Sequence, residues 1–281
     1  MESPVSMAGM SMADFNRLSA FISQEFGIKL PPVKKTMLQG RLQKRLRALN
    51  ISSFSDYISF VLSEEGKKNE LIHMIDVVTT NKTDFFRENN HFEFLREWAL
   101  PEYAGRSYAQ ETYRVWSAGC SSGEEPYTLA IVLQEFAETH PGFQYQIVGT
   151  DISTQILEKA ATAIYPMERV NVIPMELKKK YFLRSKDKSN PCVRVIPGLR
   201  QKVKYQRLNF MDFQYKMEVR FDAIFCRNVL IYFDKPIQEK VISRQLVHLK
   251  PGGFFFLGHS ESIMNMDLPL VQVRPTVFRK K

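Results

Sequence analysis

Apolar residues recur at two different spacings along this chain, and the change falls near its first third. In the first third the spacing is helical. Phe15, Leu18, Phe21, Ile22 and Phe26 mark one helix, with Asp14 as its expected cap and Gly27 at its stop. Pro31 and Pro32 open a second helix near Val33–Leu49, where Leu38, Leu42, Leu46 and Leu49 fall within an arc of about 80° at 100° per residue. Shorter helices are expected at Tyr57–Leu62 and Leu71–Val78. Residues 1–13 have no periodicity and read as a loose tail, so a small all-helical domain spans 14–80. A linker loop and helix are expected over 81–112.

From Tyr113 the pattern becomes strand, helix, strand. RVWSA (Arg114–Ala118), YQIVGTD (Tyr145–Asp151), FDAIFC (Phe221–Cys226) and FFFLG (Phe254–Gly258) read as strands. Helices are expected over GEEPYTLAIVLQEFAETH, from Ser153, and from Pro236 to the turn Lys250-Pro251-Gly252-Gly253. This alternation predicts an α/β fold over 113–281 with a mostly parallel sheet covered on both faces. VRVI and KVKY around Pro197-Gly198 break the rhythm and read as a short hairpin, in an inserted β-subdomain at about 178–206.

Charge and cysteine usage narrow the possibilities. The net charge of +9 is uneven: residues 28–55 carry +7 and residues 176–208 carry +9, which leaves −7 on the rest. Two basic patches on an acidic body suggest an acidic partner met at particular places, against the blander reading of solvated faces. The three cysteines are widely spaced with no CxxC, which excludes a disulfide scaffold and a cysteine zinc site. No apolar run reaches the roughly 18 residues of a membrane span, and the N-terminus lacks a signal-peptide pattern. A soluble, cytoplasmic protein with no direct membrane insertion is expected, monomeric by default.

Ligands of open parallel sheets bind beyond the carboxyl ends of the strands. WSAGCSSGEEPY (Trp116–Tyr127) lies there, but its glycine spacing is not that of a dinucleotide-binding loop. Glu124 and Glu125 would repel a pyrophosphate, which disfavours NAD, and would suit a cationic ligand such as S-adenosylmethionine. The bland alternative is that both carboxylates only answer the helix dipole. Asp151 ends the second strand, where an acidic residue can accept bonds from ribose hydroxyls. Leu208–Asp212 sits where an adenine edge would lie, and CRNVLIYF (Cys226–Phe233) where the reacting group would be.

At Asn228–Tyr232, together with TTNKTDFFRE (Thr79–Glu88) and VWSAGCSSGEEPYT, the chain resembles the chemotaxis receptor methyltransferase (CheR) family over almost its whole length. The resemblance implies a small all-α N-terminal domain before a class I S-adenosylmethionine-dependent, Rossmann-like methyltransferase sheet with an inserted antiparallel β-subdomain. It implies methyl esterification of glutamates on the acidic cytoplasmic helices of chemoreceptors, with S-adenosylhomocysteine as product and no metal. Carried over by motif, Arg87 and Tyr232 are the expected catalytic residues. Asn81, Thr83, Arg87, Glu125, Asp151, Asn209, Phe210, Arg227 and Asn228 are the expected cofactor contacts. The motif leaves the choice between Glu124 and Glu125 open. Arg41, Lys44 and Arg45 are expected to face outward from the second helix and to dock the receptor.

The chemistry needs no general base, because a glutamate carboxylate with a pKa of about 4.3 is already ionised at pH 7. His73, His91, His140, His248 and His259 are scattered and read as structural. Two other classes remain. A nucleic-acid methyltransferase would use the basic patches, but it would be expected to carry Asn followed by Pro and an aromatic, where this chain has Val229-Leu230-Ile231, so no nucleic-acid partner is expected. A non-catalytic, cofactor-binding receptor adaptor is the other.

Overall fold

A computed structural model describes residues 9–105 and 111–281. The chain divides into two units: the first runs to Thr80 and includes Tyr232–Asp234, and the second holds Asn81–Ile231 and Lys235–Lys281.

Among its described residues the first unit contains five α-helices: α1 (Met12–Phe26), α2 (Lys35–Ala48), α3 (Phe54–Leu62), α4 (Glu64–Asn69) and α5 (Leu71–Val78). Helix α1 starts two residues before Asp14. Its cap is Ser11, whose hydroxyl accepts the Asp14 N–H at 3.0 Å, and Gly27 stops it in a left-handed conformation. The expected tail is therefore shorter than 13 residues: Met10 is buried, Met12 and Ala13 are helical, and residues 1–8 lie outside the described ones. A 3-10 turn at Pro32–Lys34 leads into α2. The leucine stripe of α2 is buried at Leu38, Leu42 and Leu46, and Phe15, Leu18, Ile22, Tyr57, Ile58, Val61, Met74 and Ile75 are buried in the same unit. Helix α4 was not anticipated, since EEGKKN has no apolar face; Ser63 caps it through the Gly66 N–H.

The second unit begins with α6 (Asn90–Phe94), which passes through a π turn at Leu95–Ala99 into α7 (Leu100–Ala104). Then come β1 (Tyr113–Ala118), α8 (Glu124–Thr139), β2 (Tyr145–Asp151), α9 (Thr154–Thr162), β3 (Ile164–Pro166), α10 (Met175–Tyr181), β4 (Phe182–Arg184), β5 (Cys192–Val195), α11 (Pro197–Arg200) and β6 (Val203–Arg207). The chain closes with β7 (Phe221–Cys226), α12 (Lys235–Val247), β8 (Leu249–Leu257), β9 (Leu270–Arg274) and β10 (Val277–Lys280). The main sheet has the order β6-β2-β1-β7-β8-β10-β9. Its first five strands are parallel, and β10 runs antiparallel to both β8 and β9. Strands β1 and β7 are buried almost throughout, as expected for strands covered on both faces. The chain steps outward from β1 to β2 and β6, then returns to the other side of β1 for β7. The order reverses between β1 and β7, which is where such sheets open a crevice for ligands.

Two expectations need correction. VRVI and KVKY do not pair as a hairpin. Strand β5 pairs antiparallel with β3 and β4 in a separate three-stranded sheet, while β6 is the parallel edge of the main sheet against β2. The short helix α11 turns the chain between them, so Pro197 opens a helix where a β-turn was expected. The antiparallel sheet is accordingly drawn from Ile164–Val195, where 178–206 was anticipated. Likewise Lys250–Gly253 lies inside β8. Gly252 adopts φ +73°, and the β7–β8 register shifts between Phe221 and Ala223, so the strand absorbs an irregularity that reads locally as a turn. No helix among the described residues is long and apolar enough to cross a membrane.

Candidate active site

The loop after β1 turns back on the end of β2. The N–H groups of Gly119 and Cys120 both donate to Thr150 O, at 2.7 and 2.8 Å. Asp151 closes this corner: Oδ2 accepts the Ser121 N–H at 2.9 Å, and Oδ1 accepts the Ser153 N–H at 3.1 Å at the start of α9. The Ser121 hydroxyl donates to Asn81 O at 2.9 Å, which ties the 81–88 segment to the same loop. Asn209 and Phe210 follow directly on Leu208, whose N–H donates to Asp151 O at 2.9 Å. Asn81, Asp151, Asn209 and Phe210 are thus brought to one edge of the sheet.

The two glutamates at the start of α8 part ways. Glu124 is buried and bonds sideways to the Ser122 hydroxyl at 2.6 Å and to Arg169 at 2.7 Å. Arg169 also holds Asp84 at 2.9 Å and the Thr83 carbonyl, so it clasps the 81–88 segment to the head of α8. Glu125 instead faces the ends of β1 and β7. It accepts from the Ser117 hydroxyl at 2.6 Å and pairs with Arg227 at 3.0 Å. Between the two, Glu125 is the carboxylate that reaches the strand-end cluster.

Arg227 is the centre of that cluster. Its side chain is 2% exposed and lies over the Phe92 ring. It bridges Glu125 and Glu88, the latter at 3.1 Å, and donates to the Arg87 carbonyl. Its Nε has no hydrogen-bond partner among the described residues. Asn228 reaches Glu88 through Nδ2 at 3.2 Å. Burial pushes the Glu125 carboxyl above its usual range, with Arg227 and Ser117 pulling the other way. Burial works in the same sense on Glu88, but Arg227, Asn228 and the His259 N–H together hold it below its usual value. The guanidinium of Arg227 therefore acts as a brace between carboxylates.

Glu88, His91 and His259 bring three ligand-type atoms within 4.8 Å of one another. Their chemistry does not favour a metal ion. Glu88 is already held by Arg227 and by Asn228. His91 is fully buried, and burial, then the Arg227 charge, lowers its pKa to about 3. It is neutral and bonds to the Thr276 hydroxyl at 2.7 Å, while His259 bonds to Asn90 at 3.0 Å.

The expected catalytic pair falls in different units. Arg87 lies half-buried in the second unit and donates to Lys82 O at 3.1 Å. Tyr232 ends a 3-10 turn at Leu230–Tyr232 and belongs with the first unit, where its carbonyl accepts the Lys29 N–H at 3.0 Å. The expected docking residues also divide. Lys44 is exposed. Arg45 turns inward to Glu70 at 2.6 Å, and Arg41 donates to the carbonyls of Val78 and Thr79 at the end of α5. On the helical wheel Arg45 lies about 20° and Arg41 about 60° from the edge of the leucine stripe, so neither faces straight out.

Sequence reasoning missed Glu88, Arg169 and Glu261. Glu88 ends the quoted FFRE motif, and Glu261 follows a strand end within three residues, which are the signals that could have exposed them. Glu261 is buried, and burial raises its carboxyl although four backbone N–H groups oppose that shift.

The donor set fits a ligand with positive charge and a ribose. Carboxylates Glu88, Glu125 and Asp151 stand at the strand ends, and the most buried guanidinium there is already committed to two of them. These are the demands of S-adenosylmethionine, whose sulfonium and ammonium are cationic.

Comparisons with known proteins agree. The family model described as "CheR methyltransferase, all-alpha domain" matches residues 13–79, and "CheR methyltransferase, SAM binding domain" matches residues 81–277. The chain is 40% identical to a chemotaxis protein methyltransferase of Escherichia coli (strain K12), over 96% of this chain and 91% of that one. It is 41% identical to the protein of the same name from Klebsiella aerogenes, over 96% and 90% of the two chains. The protein of that name from Borreliella burgdorferi is 36% identical, over 95% and 94%. Its helical and S-adenosylmethionine-binding parts are both accounted for, and the chain belongs to the CheR family of chemotaxis methyltransferases.

Proposed function

We propose that this methyltransferase esterifies glutamate side chains on the acidic cytoplasmic helices of chemoreceptors. The observation that carries the reading is the carboxylate-lined strand-end cluster, whose buried imidazole, His91, is neutral and committed to Thr276. Such a site suits a cationic methyl donor and an acceptor that arrives already ionised. When bound, S-adenosylmethionine supplies an electrophilic methyl group and leaves as a neutral thioether.

The protein's part is positional. Asp151 and the 119–123 loop hold the ribose end, Asn209 and Phe210 flank the adenine, and Glu125 with the Asn81–Thr83 segment faces the amino-acid end. Arg227 and Asn228 line the reacting side. Arg87 steers the incoming carboxylate. Holding the nucleophile in line with the methyl accelerates transfer, whereas neutralising it tightly would dull it. No proton has to move.

The test is transfer of tritiated methyl from S-adenosylmethionine to receptor cytoplasmic fragments, with nucleic acid as the competing acceptor. Base-labile label released as methanol from the receptor fragment is the expected result, because carboxyl esters hydrolyse in alkali. Label on nucleic acid, or base-stable label on protein, would overturn the reading.

A further inference from the structure

Glu261 lies in the loop after β8, and its carboxylate is the anchor of the turn that follows β7. Oε1 accepts the N–H groups of Val229 and Leu230 at 2.8 and 2.7 Å. Oε2 accepts those of Asn228 and Gly258 at 2.9 and 2.7 Å. An ionised carboxylate offers about four lone-pair sites, so four converging peptide donors use its whole accepting capacity. The residue is 8% exposed. It has no free lone pair with which to meet a cofactor or take a proton.

What it holds is a left-handed backbone. Asn228 sits at φ +59°, a region that Asn enters more readily than other residues with a side chain. The other face of Asn228 rests on Gly258. A Cβ added at Gly258 would meet Asn228 Nδ2 at 2.5 Å and Asn228 N at 2.8 Å. Asn228 is thus gripped between the Glu261 carboxylate and bare glycine backbone. From there its Nδ2 reaches Glu88, and Glu88 reaches Arg227 and, through it, Glu125.

We infer that Glu261 is a positioning residue for methyl transfer: it touches neither cofactor nor acceptor, and it acts by holding Asn228–Leu230 in the left-handed turn that borders the reacting side. The inference rests on the proposed function, which gives that turn its place beside the methyl. It separates two halves of the site. The ribose corner is bonded through Asp151, Ser121 and Ser153, with Glu261 taking no part in it.

A purely structural brace would lower the amount of folded enzyme and leave the constants of the folded fraction alone. A positioning residue lowers kcat more than cofactor affinity. Two variants ask the question from opposite sides. Glu261→Gln keeps the size of the side chain but turns an amide group toward two peptide donors. Gly258→Ala keeps the carboxylate and pushes Asn228 from the other face. Each is assayed for methyl transfer to a receptor cytoplasmic fragment, per molecule of folded enzyme, beside a calorimetric titration with S-adenosylhomocysteine. The expected result is a fall in kcat of roughly 10- to 100-fold for a displacement of about 1 Å, with S-adenosylhomocysteine affinity falling several-fold less than kcat. Full kcat in either variant overturns the inference. So does a parallel loss of kcat and S-adenosylhomocysteine affinity, or loss of folding in both variants, since either outcome marks a structural brace. A wild-type enzyme that binds S-adenosylhomocysteine but methylates no receptor fragment overturns the receptor reading itself, and this inference with it.

Discussion

Arg45 and Arg227 are both drawn into the protein by carboxylates, one in each unit, and they close their charge balance in opposite ways. Arg45 meets Glu70 two-pronged, Nε to Oε1 at 2.8 Å and Nη2 to Oε2 at 2.6 Å, and the Tyr57 hydroxyl donates to the same Oε1 at 2.9 Å. The Glu70 hydrogen bonds raise the Arg45 pKa, and burial followed by the Glu70 charge raises that of Tyr57. One cation, one anion and one neutral donor make a finished set. Arg227 stands between two carboxylates, with Asp151 at a neighbouring strand end. A neutral pair is complete by itself. A cluster with an excess of carboxylates is completed by something cationic. The difference separates a closed ion pair from a cluster that a cationic ligand would complete.

Removing Arg227 gives the largest expected effect. Arg227→Met leaves Glu88 and Glu125 facing each other with no cation between them. The loss of one partner of a buried pair costs about 3–5 kcal/mol. Urea unfolding should show that loss, and S-adenosylhomocysteine affinity should fall more than about tenfold with it. An unchanged affinity would detach the cluster from the cofactor and collapse the contrast with Arg45.

The Arg45 set should behave as a closed unit. Arg45→Met alone strands Glu70, whose side chain is 2% exposed, and should cost about 3 kcal/mol. Replacing the whole set, Arg45→Met with Glu70→Leu and Tyr57→Phe, should return stability to within about 1–2 kcal/mol of wild type, because no buried polar group is left unpaired. Cofactor affinity should stay constant across the series. A triple variant no more stable than the single one would mean that the helices of this unit need the polar set for packing and not only for charge balance.

These two arginines also mark what local sequence could carry. Periodicity located β2 residue for residue, and the starts of α8 and α9 to within a residue, because those signals lie within a few positions of one another. The ion pairs do not. Arg227 meets Glu125 from 102 residues away and Glu88 from 139, and Glu261 meets Asn228 from 33. No local pattern joins them, and only the adjacency of β1, β7 and β8 brings them together. Sheet membership has the same character. VRVI is visibly a strand, but whether it pairs with its neighbour in sequence or with Ile164–Pro166 is decided by long-range register. The inward turn of Arg45 is a different case. Its angle on the helix was available from the start, and the presence of Glu70 on the facing element was not.

The neutral member of the Arg227 cluster offers a smaller effect with a definite sign. The pKa of His91 is lowered to about 3, by burial first and then by the Arg227 charge, while the unfolded value is near 6.5. Below pH 6.5 the unfolded chain binds a proton that the folded chain refuses. The stability from neutral His91 is therefore complete above that pH and declines by about 1.4 kcal/mol per unit as pH falls toward the folded value. Glu125 and Glu261, with raised values, act in the opposite sense; Glu88, with a lowered one, adds to the loss only in the more acidic carboxylate range. Subtracting the unfolding free energy of His91→Phe from that of wild type isolates the histidine between pH 6 and 5. A difference that stays flat over that window would mean the ring takes up a proton in place.

The smallest expected effect tests the other side of α2, where Lys44 and Arg47 are exposed while Arg45 is not. If the basic patch steers an acidic receptor helix, the charges that matter are these two. Exposed charges add little to stability, with a typical contribution of about 0–1 kcal/mol, so Lys44→Glu with Arg47→Glu should leave the urea midpoint and S-adenosylhomocysteine affinity unaltered. Their action is on encounter. Complementary charge raises association rates at low salt, and the effect fades as the Debye length shortens from about 10 Å at 0.1 M to about 3 Å at 1 M. Receptor methylation by the double variant should drop roughly three- to tenfold at low ionic strength, a loss of about 1 kcal/mol in kcat/KM, and converge on wild type in high salt. Equal rates at both salt concentrations would mark the outward face of α2 as solvated charge. The acidic partner would then have to be met by the basic residues of 176–208, among which Lys178, Lys179 and Lys180 lie in the last turn of α10.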